Sequence, residues 1–224
     1  MGLDWKPLNK PLAGYEDEYR RLFMQLSGAE KPKMSILDKL LGKQHPSRES
    51  LLDRFLEISS TAYETLNAPQ VGIDSKATEW AASKFQYRQD QSLTLDQFMT
   101  QMHGYYVVEL VPECDGIPVY IAGHDEAHIF RAQFLVDCEE ILGQDIFESA
   151  YQSKLAKETR EYADELMTIA ERYAAQHDCS YLKDSRTPPE GDMHTPQAKA
   201  HILFSAAKWL RYWSDRGHGM EADF

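Results

Sequence analysis

Cysteine is scarce and unpaired in this chain. Its 224 residues contain Cys114, Cys138 and Cys179, an odd number with no paired spacing, which excludes a disulfide framework and leads us to expect reduced cytosolic thiols. Long apolar runs are also missing: none approaches the ~18 residues needed to cross a bilayer. The opening MGLDWKPLNK lacks the apolar stretch of a secretory signal, and Lys6 stands where a myristoylation signal carries Ser or Thr. Positive charge is in deficit, with 24 Lys and Arg against 36 Asp and Glu and a formal net charge of −12. That balance disfavours nucleic acid and anionic membrane as partners, since both are themselves negative, and suits a basic protein or a small-molecule ligand. No glycine-rich phosphate loop, G-x-S-x-G elbow, CxxC pair, internal repeat or low-complexity segment is found. These absences lead us to expect a cytoplasmic protein.

What is present is helical periodicity. The length suits one domain with one sizeable core. Residues 1–14 carry Pro7, Pro11 and Gly14 and are expected to form an extended arm that packs on the body through Trp5, Leu8 and Leu12. Helices are expected over 15–26, 36–41, 47–66, 75–87 and 95–103, the last opened by a Thr94/Gln97 capping box and closed by Gly104. Further helices are expected over 125–142, 145–151, 153–176 and 195–216, where Thr195 caps and Pro196 takes the first helical position. The stretch 177–194 reads as a long loop and 217–224 as a frayed tail.

Between the helical halves, Tyr105 to Ile121 has the strongest β character. Tyr106, Val108 and Leu110 alternate with Tyr105, Val107, Glu109 and Val111, and a Pro112–Gly116 turn leads to a return strand. The expected fold is therefore mainly α, a multi-helix domain packed around one antiparallel hairpin at about residues 105–121.

The candidate chemistry clusters at the far end of that hairpin. His124 and His128 are four apart, a spacing that puts two imidazoles on one helix face and would make them a divalent-metal pair. The intervening Asp125-Glu126-Ala127 does not match H-E-x-x-H, and the simpler reading makes Asp125 a helix cap and His128 a first-turn residue. Arg131 shares a stripe with Leu135, Cys138 and Leu142, so if buried it needs a carboxylate such as Glu109 or Asp115, or a bound anion. If exposed, its stem packs down and its head reaches water. His103 ends a helix near the hairpin entrance. Cys138 reads as a small core hydrophobe beside Asp137, and His201 as structural. The residues His177, Asp178, Cys179, Asp192 and His194 are metal-binding types at spacings that match no closed zinc site.

The candidate ligand-binding set is thus His103, Glu109, His124, Asp125, Glu126, His128 and Arg131. The function expected first is a non-catalytic binding or interaction module, electrostatically complementary to a basic protein in the manner of small bacterial neutralising proteins, or a binder of a small molecule. The alternative is a metal-dependent or anion-binding enzyme built on the cluster at the hairpin end. A homo-oligomeric module is a third reading, requiring an exposed apolar patch on the hairpin edge or on the Trp209/Trp213 helix.

Overall fold

A computed structural model describes residues 2–29, 47–87, 92–111 and 128–224. The fold is mainly α, as expected. Its centre is a pair of long helices, α8 (Ala156–Gln176) and α9 (Pro196–Ser214). Tyr162, Ala163, Leu166, Met167, Ile169, Ala170 and Ala174 give α8 a buried stripe at three-and-four spacing, while α9 is buried almost all round from Ala198 to Trp213. Arg160 pairs with Asp215 and Asp164 with Arg211, so the two helices run antiparallel. The expected Thr195 cap is in place, its hydroxyl accepting from the Ala198 amide at 3.2 Å. Trp209 and Trp213 lie wholly in the core.

Both chain ends are drawn into this core. Strand β1 (Asp4–Leu8) pairs antiparallel with β4 (Gly219–Asp223), from Asp4 opposite Asp223 to Leu8 opposite Gly219. The outer side of β1 exchanges amide bonds with Phe130 through Trp5, and the outer side of β4 does the same with Lys154 through Met220. Trp5 is 0% exposed, stacks 5.4 Å from Phe130, and donates its indole N–H to the Ala150 carbonyl. The N-terminal arm therefore packs as expected. The tail does not fray: Met220 is 0% exposed, and the backbone polar groups of 219–223 find partners in β1 and Lys154.

The shorter elements are α1 (Glu16–Leu26), α2 (Arg48–Glu57), α3 (Ala62–Thr65), α4 (Ser75–Lys84), α5 (Leu95–Met102), α6 (Glu139–Leu142) and α7 (Gln144–Ser149). Helix α5 has the expected capping box. Strands β2 (Lys10–Pro11) and β3 (Ser59–Ser60) make a second small pairing.

Three sequence expectations need correction. The helix expected over 47–66 breaks after Glu57, because Ser59–Ser60 pair with Lys10–Pro11 and Thr61 starts α3 with its own capping box to Glu64. The helix expected over 125–142 is, in its described part, the Phe130 pairing followed by a 3-10 helix over Ala132–Cys138 and then α6; the amide and carbonyl of Phe130 are already taken by Trp5. The first strand of the expected hairpin is only a short pairing. Gly104, Tyr105 and Val107 exchange backbone bonds with Pro69 and Val71, and Val108–Leu110 then coil into a 3-10 turn, so the alternation of faces is lost. Residues 112–121, the expected turn and return strand, lie outside the described residues, as does the helix expected over 36–41.

Candidate functional site

The pairing of 104–107 with 69–71 leaves a half-open cleft of about 260 Å³ lined by Tyr63, Gly104, Tyr105 and Tyr106. Each wall has a local cause. Tyr63 is carried by α3, whose start is set by the Thr61/Glu64 capping box. Gly104 has φ of +82°, the left-handed turn that ends α5 and sends Tyr105 and Tyr106 across Val71. The rings of Tyr63 and Tyr106 stack with centroids 5.1 Å apart and planes 9° from parallel. Tyr105 is 42% exposed and stacks at 6.3 Å on Trp80 of α4.

His128 lies behind Tyr63. It is 7% exposed, meets the phenol ring edge-on at 5.0 Å, and has Nε2 3.4 Å from the Tyr63 hydroxyl. Its Nδ1 is buried with no hydrogen-bond partner among the described residues, and its carbonyl accepts from the Trp209 indole at 3.1 Å. Burial, helped by the charge on Lys6, pushes the imidazole pKa down to about 4, so His128 is neutral at physiological pH.

The other expected site residues are dispersed. His103 is an exposed cap at the end of α5 whose ring packs over Gly72. Glu109 accepts from the Trp80 indole at 2.8 Å and pairs with Lys84 at 3.2 Å, one layer behind Tyr105. Arg131 does not meet Glu109. Its side chain is 45% exposed and lies 3.5 Å from Asp4, the carboxylate that the Trp5–Phe130 pairing brings alongside. The exposed alternative therefore describes Arg131. His124, Asp125, Glu126 and Asp115 lie outside the described residues. Among the described residues, no group of three or more His, Cys, Asp or Glu side chains is placed to hold a metal ion.

The loop cluster does not converge either. His177 packs on Tyr173 at 4.4 Å, whereas His194 turns to Asp137 at 3.4 Å. Cys138 is fully buried, and burial pushes its thiol up to about 12, in keeping with a core hydrophobe. His201 is buried within α9.

The tyrosines are what sequence reasoning missed. Tyr63 and Tyr106 sit at apolar positions of expected elements and read as core. The available signal was the Gly104-Tyr105-Tyr106 run, where a helix-ending glycine is followed by two amphipathic rings.

Compared with protein-family models, with curated proteins and with solved structures, the chain matches none. No helix among the described residues is long and apolar enough to cross a membrane.

Proposed function

We propose that this protein is a non-catalytic binding protein whose ligand enters the cleft lined by Tyr63, Tyr105 and Tyr106. The observation that supports this reading is the cleft itself. It is small and concave, its lining among the described residues is three tyrosines and a glycine, and the stacks on Tyr106 and Trp80 hold its rings in place. A pre-ordered aromatic surface binds a small group without the entropic cost of ordering long side chains. The formal net charge of −12 favours a basic or neutral ligand over an anionic one.

The test is saturation-transfer NMR with small amines, alcohols and carboxylates, on the wild-type protein and on Tyr105→Ala. Tyr105 is 42% exposed, and a thermal melt of the variant checks that its fold is kept. We expect at least one amine or alcohol to show transfer that weakens in the variant. If no compound distinguishes the two proteins, the cleft is not a binding site.

A further inference from the structure

We propose that His218 is a positioning residue for the cleft, and that its hydrogen bond to Thr65 couples the Tyr63 wall on α3 to closure of the terminal ribbon. The inference rests on the cleft being the binding site and names what holds it in shape, yet its test needs no ligand. A continuous run of contacts from the chain ends to the lining carries it.

The run begins at the ribbon. His218 stands immediately before β4 and is 0% exposed. Its amide bonds the Trp213 carbonyl at 3.0 Å, and its ring meets the Trp213 indole edge-on at 5.4 Å. Nδ1 lies 2.9 Å from the Leu8 carbonyl at the end of β1. A Cβ on the next residue, Gly219, would overlap the Lys154 carbonyl, so the backbone is tightly packed at this point. The imidazole is therefore placed jointly by β1, β4 and α9. With Nδ1 donating to Leu8, Nε2 is left as an acceptor, and the Thr65 hydroxyl lies 2.7 Å from it.

From Thr65 the run reaches the cleft. Helix α3 is a single turn, closed by the Leu66 amide on the Ala62 carbonyl and the Ala68 amide on the Tyr63 carbonyl, so Tyr63 and Thr65 move as one body. Ala62 and Leu66 rest on the main core. Apolar contact is not directional and leaves a short turn free to roll, whereas a hydrogen bond has a preferred length and angle. The contact of Tyr63 with His128, at 3.4 Å, is long for a hydrogen bond; the Thr65–His218 bond, at 2.7 Å, is the tighter of the two polar restraints. That bond sets the roll of α3, and with it where the Tyr63 ring stands against Tyr106. The facing wall hangs from the same segment, because Pro69 accepts from Val107 and Val71 donates to Tyr105. A change in the roll of α3 is therefore transmitted to both sides of the cleft.

The experiment is NMR at neutral pH on the wild type, Thr65→Val, His218→Leu and the double variant. Thr65→Val keeps the branched shape and removes the hydroxyl donor. We expect it to weaken the nuclear Overhauser effect between the Tyr63 and Tyr106 rings about two-fold or more, and to speed exchange of the Ala68 amide roughly three- to ten-fold, while the Met220 amide of β4 stays protected. His218→Leu should move the Tyr63 resonances in the same direction, and the double variant no further than the larger single effect, since both changes remove one bond. Tyr63 resonances and Ala68 exchange that stay at wild-type values in Thr65→Val would overturn the coupling, whether or not His218→Leu folds. Additive displacement in the double variant would also overturn it, by showing that the two side chains act on Tyr63 separately. A Tyr63 response in Thr65→Val, with no compound bound in the saturation-transfer experiment, would keep the coupling and remove the binding site. Binding without that response would keep the site and remove the coupling.

Discussion

Tyr63 and His128 are 65 residues apart in sequence, yet the phenol hydroxyl lies 3.4 Å from the imidazole Nε2. A second histidine holds the other end of the same short helix. Thr65 Oγ1 lies 2.7 Å from His218 Nε2, and His218 Nδ1 lies 2.9 Å from the Leu8 carbonyl. A carbonyl only accepts, so Nδ1 of His218 carries the proton and Nε2 accepts from the threonine hydroxyl. Helix α3 is thus fixed between two neutral imidazoles, one beside the cleft and one beside the terminal ribbon.

Those imidazoles make the fold sensitive to acid. Burial lowers the pKa of His128 and of His218 from 6.5 to about 4, and lowers that of His201 as well. The charged groups acting on them, Lys6 on His128, Lys10 on His218 and Lys208 on His201, push the same way. In the window between 4 and 6.5 the unfolded chain binds protons at His128 and His218 that the folded chain refuses, so stability falls as pH falls. Above 6.5 both states are neutral and the effect vanishes. Urea unfolding should show a loss of up to about 2 kcal/mol for each of these two histidines between about pH 6.5 and about pH 5. His218→Gln should flatten that slope by close to one proton. An unchanged slope in the variant would mean that His218 does not titrate with folding.

The tail should matter more than its sequence suggests. Met220 is fully buried, and its amide and carbonyl both pair with Lys154. Met220→Ala should cost on the order of 2–5 kcal/mol in urea unfolding. Removing residues 219–224 should cost at least as much and speed hydrogen exchange at the amides of β1, which would lose their partner strand. A truncated protein as stable as the full chain would show that the ribbon adds nothing to the core.

What the sequence made legible follows from how local each cause is. The α9 cap at Thr195, the capping box of α5 and the stop at Gly104 are set by neighbours in sequence and could be read from it. The break at Ser59–Ser60 depends on Lys10–Pro11, and the extended Phe130 depends on Trp5. Neither partner is visible in the local pattern, and in both places a helical stripe was overridden by long-range backbone pairing. The Tyr105–Val111 alternation was real strand propensity, but its described residues paired with 69–71. The same distance effect hid the candidate site. Its walls come from Tyr63 and from 104–106, and only the fold shows that these rings share a face.

One close approach near the cleft can be tested without any ligand. Gly72 adopts φ of +81°, and a Cβ at this position would overlap the imidazole of His103, the residue before the lining Gly104. Gly72→Ala should therefore cost about 1–3 kcal/mol, part from the left-handed backbone and part from the ring. His103 is exposed, so His103→Ala alone should stay within about 0.5 kcal/mol of wild type. In the double variant the overlap is gone and the backbone strain remains. Urea unfolding of all four proteins should then give a double variant more stable than the sum of the single effects, by on the order of 0.5–1 kcal/mol. Additivity within about 0.3 kcal/mol would show that the His103 ring does not rest on Gly72 in solution, and that the approach to the cleft from α5 is arranged differently.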